Sequence, residues 1–248
     1  MTTTPLAPLI RHLAAHPGDE AVRMMLLARL ALFDVVMPAD ADGAPAPEAV
    51  TTRSGRFLLV HSDEAALADG APRPVVWLPL RELGTLLERR DTGVVLDPTT
   101  QTPHLLTAGE LGWFASLGRL GQVVKRLPDE GAAGDPSLLP PAFHHALDAA
   151  LAPVAGLLDG AWLRTVASPR PGAAGPDAHL HLAGLPPPHE APLRARLAIA
   201  AAFLAEGASL ALSIGAAPGG AGFRPIPLAS PDLPLPPGSD PDRPPKLR

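Results

Sequence analysis

Cysteine is absent from this 248-residue sequence. That removes disulfides, thiol nucleophiles and cysteine metal ligands together, and it permits a reducing compartment. Lysine is nearly absent: of 20 basic residues only Lys125 and Lys246 are lysines. With the abundant Ala, Pro and Gly, this matches the coding bias of a GC-rich bacterial genome and carries no functional meaning. Long apolar runs are also missing. The longest candidate, residues 197–204, is bounded by Arg196 and Glu206 and falls short of the ~20 residues that span a bilayer. The first twenty residues have neither the basic start nor the apolar core of a secretory signal. Together these absences lead to the expectation of a soluble cytoplasmic protein without a membrane partner.

The motifs of several common enzyme classes are missing as well. There is no GxxxxGK[ST] phosphate loop, no GxGxxG leading out of a strand, no GxSxG elbow and no HExxH. The formal net charge of −5 and pI of about 6.0 argue against nucleic acid, which selects a basic footprint. What the chain does have is 46% apolar residues, enough for one large or two small packed domains.

The best-organised stretch is residues 51–66, TTRSGRFLLVHSDEAA. Phe57, Leu58, Leu59 and Val60 form a continuous apolar run of the length of a strand buried on both faces. Gly55 marks its entrance. At its exit Ser62 is placed to cap a helix, and Asp63 and Glu64 fall in a first turn that favours negative charge. His61, Ser62, Asp63 and Glu64 could also be read as a catalytic cluster at the carboxyl end of a strand, where open sheets carry ligands. Capping explains Ser62, Asp63 and Glu64 together and is the stronger reading. The four residues are retained as a binding-groove candidate, with no catalytic residue, metal ligand or cofactor assigned.

Before this stretch, Leu6, Leu9, Ile10 and Leu13 have helical spacing, and Pro17-Gly18 separates them from a second helix starting near Asp19. A strand through Leu32–Val36 closes at Pro38. Asp40 and Asp42 in the following loop lack the further ligands of a calcium site. Beyond the central stretch come a strand at 75–78 and a helix opened by Pro79, its stripe drawn from Leu80, Leu83, Leu86 and Leu87. The strand Gly93–Leu96 turns out at Asp97-Pro98. Thr107 and Glu110 form a capping box, with Leu106 and Leu111 at staple spacing, and predict a helix over 108–117.

In this order, LLARLALFDVV, FLLVHSDEAA, GVVLDP and LLTAGEL resemble the N-terminal domain of the enhanced serine sensitivity protein SseB family. Those proteins place a strand ending near Phe-Thr-Ser-acid before a helix, then a Gly-Val-Val-(Leu/Ile)-(Asp/Asn)-Pro strand. His61 stands where Thr is more usual; Gly93 to Pro98 match well. The resemblance covers about residues 5–120 and its motifs are structural. It implies a link to serine tolerance and brings no catalytic residues to carry over.

The second half reads as a linker over 126–141, then helix, strand, strand, helix and strand, an order similar to the C-terminal domain of some SseB relatives. Residues 142–228 would form that domain, following an N-terminal domain over 5–125. Residues 229–248 are Pro-rich and expected to be a disordered tail. His179 and His181 lie two apart on a predicted strand and so share a face, one way to offer two imidazoles to a metal. No third ligand is evident, and a solvent face opposite Leu180 and Leu182 is the plainer reading. His144 and His145 diverge around a helix; His104 and His61 stand alone.

The expected fold class is therefore α+β: two small mixed α/β-sandwich-like domains in tandem with a Pro-rich tail. The expected role is a non-enzymatic binding or regulatory module whose partner is another protein. The alternative is an enzyme or small-ligand sensor in amino-acid metabolism.

Overall fold

A computed structural model describes residues 6–67, 74–88, 90–124, 133–168, 170, 172–219 and 222–228. The expected tail, 229–248, lies outside them. The fold is α+β. Among the described residues no helix is long and apolar enough to cross a membrane.

Two helices open the chain, α1 (Ala7–Ala15) and α2 (Glu20–Leu30). Asp19 caps α2 by accepting the Val22 N–H at 3.1 Å, which satisfies one of the free donors of the first turn. β1 (Asp34–Pro38) follows. In the next loop the Asp40 carboxylate accepts the N–H groups of Asp42 and Ala44, so it shapes the turn itself. β2 (Ala49–Thr52) and β3 (Gly55–Val60) form a hairpin, and β4 (Val75–Pro79) returns to pair with β1. β5 (Thr92–Leu96) lies parallel to β3, and β6 (His104–Leu106) pairs antiparallel with β5. The first sheet thus runs β2-β3-β5-β6, and β1 and β4 form a separate pair joined to it by a bridge between Val36 and His61.

Helix α3 (Leu80–Leu87) buries Leu80, Leu83 and Leu87, whereas Leu86 is 60% exposed. The expected stripe is therefore one residue too broad. Leu86 stands between the two core-facing positions that sit three and seven residues along from Leu80, and the helix turns it outward. The capping box at Thr107 and Glu110 forms as predicted, and α4 (Ala108–Leu120) runs three residues further than expected. Its backbone packs close to α3. A methyl group at Gly84 would meet the Leu111 carbonyl at 2.5 Å, so only glycine allows this approach.

The second sheet is built from β9 (Gly160–Val166), β10 (Asp177–Ala183) and β11 (Leu210–Ile214). β7 (Val123–Val124), β8 (Ala133–Gly134) and β12 (Arg224–Pro225) extend it. Helix α5 (Pro141–Leu151) precedes β9, and α6 (Glu190–Ala201) connects β10 to its parallel neighbour β11. The buried Asp177 carboxylate accepts the Ser209 N–H at 2.7 Å and lies 3.6 Å from Arg170. Arg170 also donates to Ser209 Oγ. This cluster fixes the start of β11 beside the start of β10.

The residues of the expected linker, 126–141, fall partly outside the described ones. Their described part is bonded into the fold: β8 pairs with β9, and Pro136–Leu138 form a single turn capped by Asp135. β7, placed in the first domain on sequence, pairs with β11 of the second sheet. Helices α2, α4, α5 and α6 pack on one another, and one hydrophobic cluster runs from Leu6 to Leu212. Arg196 on α6 crosses this seam, donating to the carbonyls of Leu32 (3.1 Å) and Ala149 (2.9 Å). An apolar core continuous across both halves is the dominant favourable term in such an arrangement.

Candidate functional site

The stretch singled out on sequence lies at the carboxyl ends of β3 and β5. The strand ends at Val60, and His61 exchanges backbone hydrogen bonds with Val36 at 2.8 and 2.9 Å. The expected helix after Ser62 is a single 3-10 turn, Glu64–Leu67. The His61 ring is 7% exposed and its Nδ1 has no hydrogen-bond partner among the described residues. Burial pushes the His61 pKa down, against the pull of Asp97 and Glu48, because a desolvated imidazole resists charging.

Ser62 is held by a residue that sequence reasoning read only as a turn. Its N–H donates to Asp97 Oδ1 and its hydroxyl to Asp97 Oδ2, both at 2.8 Å. Asp97 has φ 53°, a left-handed conformation that Asp tolerates better than most side chains. Its own N–H donates to the Val60 carbonyl at 2.9 Å, and its carbonyl accepts from Thr100. Asp97 thereby ties the exit of β5 to the exit of β3. Glu64 accepts the Trp77 indole N–H at 3.1 Å, and Asp63 is half-buried beside it. The geometry brings Ser62 to the Asp97 carboxylate and sets Glu64 on an aromatic neighbour. This is a junction that organises the first sheet.

The histidine pair of the second sheet is different. On β9 and β10, Ala161, Leu163, Ala178, Leu180 and Leu182 are buried, so Trp162, Arg164, His179 and His181 share the opposite face. The parallel register sets His181 beside Ser213 of β11. Ser213 Oγ lies 2.9 Å from His179 Nε2 and 2.8 Å from His181 Nδ1. Arg164 donates to His179 Nδ1 at 3.2–3.3 Å, and His181 Nε2 faces the Ala216 carbonyl at 2.7 Å. Phe223 packs on both imidazoles and under the Arg164 guanidinium, whose carbon is 4.7 Å from the ring centroid. The two histidines predicted to share a face do so, and they converge on a serine rather than on further ligands. No group of three or more His, Cys, Asp or Glu among the described residues is placed to hold a metal ion.

His144 and His145 have local partners. His144 Nε2 faces the Pro136 carbonyl and His145 Nδ1 accepts from Arg29 Nε, so the pair diverges as expected of helical neighbours. Burial lowers the pKa of His104 and of His145.

A third feature was not visible in the sequence. Where the helices of the two halves meet, an open groove of about 290 Å³ is lined by Ala21, Met24, Trp113, Pro140, Pro141, Ala142, Ala202, Phe203 and Leu204. Trp113 stands edge-on to Phe203, ring centres 5.6 Å apart. No lining residue carries a titratable side chain.

No family model, no curated protein and no solved structure matches this chain.

Proposed function

We propose that the chain is a binding or regulatory module of the SseB type, working in the cytoplasm by holding an apolar segment of another protein. The observation that carries this reading is the groove at the helical seam. Catalytic and small-ligand pockets combine an apolar lining with a few convergent polar groups; the residues lining this groove are all of apolar types and none carries a titratable side chain. Aromatic and Met side chains such as Trp113, Phe203 and Met24 are also the types enriched where proteins meet. The resemblance to the SseB family supports the same class and would link the module to serine sensitivity.

The test begins with native mass spectrometry of the protein gently purified from its host, followed by titration of any identified polypeptide against purified chain. Met24→Glu places a charge in the groove and should weaken binding at least about tenfold, or roughly 1.4 kcal/mol. Leu86→Glu, on the exposed side of α3, should leave it unchanged. Equal affinity for both variants would discard the groove. The double variant Asp63→Ala, Glu64→Ala then asks whether the β3 junction is the contact instead. Retention of a small molecule in place of a polypeptide would favour the alternative, an enzyme or small-ligand sensor.

A further inference from the structure

The hydrogen atoms of the array on the second sheet can be assigned from its two ends. Arginine only donates, so His179 Nδ1 is an acceptor facing Arg164. The neutral ring then carries its hydrogen on Nε2, which donates to Ser213 Oγ. At the other end a carbonyl only accepts, so His181 Nε2 bears the hydrogen directed at Ala216. Its Nδ1 is left as an acceptor facing Ser213. The Ser213 hydroxyl hydrogen therefore points at His181 Nδ1. Both ends dictate the same order: Arg164 to His179, His179 to Ser213, Ser213 to His181, His181 to Ala216.

We propose that Ser213 is an activated nucleophile, with His181 as its general base, and that it takes acyl groups from small esters. The parts are a hydroxyl within hydrogen-bond reach of a base whose far nitrogen is oriented by a third group, here the Ala216 carbonyl. Ser213 Oγ attacks the ester carbonyl and forms the new C–O bond. Its proton passes to His181 Nδ1. The bond to the leaving alkoxide breaks, and the alkoxide departs as the alcohol after taking that proton. The His179 N–H, with the Arg164 charge behind it, donates to Ser213 Oγ and holds the attacking oxygen in place. Phe223 and Trp162, whose rings lie against His181 at 5.9 and 6.0 Å, suit an apolar acyl or aryl portion. The site is on the sheet face and is independent of the groove at the seam.

The test is covalent labelling of the full-length protein with a fluorophosphonate, which forms a stable Oγ–P bond with loss of fluoride, and with p-nitrophenyl acetate. Peptide mapping should find the adduct at Ser213 and not at Ser116, whose hydroxyl donates to the Trp113 carbonyl. Ser213→Ala should abolish labelling, and His181→Gln should slow it about 100-fold, the usual contribution of a positioned base. Labelling spread evenly over serines, absence of an adduct at Ser213, or a rate indifferent to His181→Gln would overturn the proposal. If His181→Gln does not fold, Ser213→Cys gives a second reading, because the chain has no other cysteine. Its alkylation by iodoacetamide should outpace that of Ser54→Cys about tenfold; equal rates would overturn the proposal.

Discussion

Each half of the molecule carries serine and histidine on parallel strands or at their ends, and the two sets are put to opposite use. In the first half, Ser62 and His61 are sequence neighbours, yet the serine turns to Asp97 and the histidine ring is buried. In the second half, Ser213 is more than thirty residues from His179 and His181, yet all three meet within hydrogen-bond distance. Neighbours along a strand point to opposite faces. Chemistry that needs convergence therefore draws on residues separated in sequence and brought together by strand register. The first pair is a structural tie, and the second is a half-buried polar array on the sheet face opposite Leu163 and Leu180.

The largest effect that would sharpen this contrast is on stability at the first junction. Asp97→Ala removes two hydrogen bonds from a carboxylate and places alanine at φ 53°. The expected loss is about 2–4 kcal/mol in urea unfolding. Asp97→Asn keeps an acceptor and a side chain tolerant of that backbone, and should lose about half as much. A loss below roughly 0.5 kcal/mol for Asp97→Ala, the range of an ordinary surface substitution, would break the reading of this junction as a tie.

A middle-sized effect concerns pH. Burial lowers the His61 pKa in the folded chain, so between the folded and unfolded values the unfolded chain binds more protons. Stability then rises with pH in that window. The contribution is fully present above the unfolded value of about 6.5 and is lost as pH falls through the folded one. His104 and His145 act in the same direction. The urea midpoint should drop on going from neutral to mildly acidic pH, and His61→Gln should make that drop shallower. An identical pH dependence in the variant would show that His61 is not held neutral by its surroundings.

How much of this was legible in the sequence follows from what each feature depends on. The capping box at Thr107 and Glu110 involves residues three apart, and it forms as read. The strands with strong apolar patterns, β3, β5, β10 and β11, were also visible. β2 was not, because all four of its residues are exposed and an edge strand needs no apolar face. β6, β7, β8 and β12 are only two or three residues long, too short for a period to show. Asp97 was read as a turn because its role depends on Ser62, 35 residues earlier. The shared face of His179 and His181 followed from strand parity, but Ser213 did not. Its place is set by a parallel register across the intervening helix α6. The groove draws on four separate helical regions, and no local pattern announces it.

The smallest expected effect is the stability change of Ser213→Ala, and it tests the contrast from the other side. The hydroxyl links two imidazoles, so its loss removes two hydrogen bonds, as many as Asp97→Ala removes. The setting differs. His179, His181 and Ser213 are all only partly buried, the backbone there is ordinary strand, and water can replace the lost partner at each ring nitrogen. The loss should therefore stay below about 1 kcal/mol, while reactivity toward the fluorophosphonate disappears. A residue that matters for chemistry but little for stability is what an active hydroxyl on a preformed sheet requires. If Ser213→Ala instead lost as much stability as Asp97→Ala, the array would be another tie, fastening β11 to β10, and the distinction between the two halves would collapse.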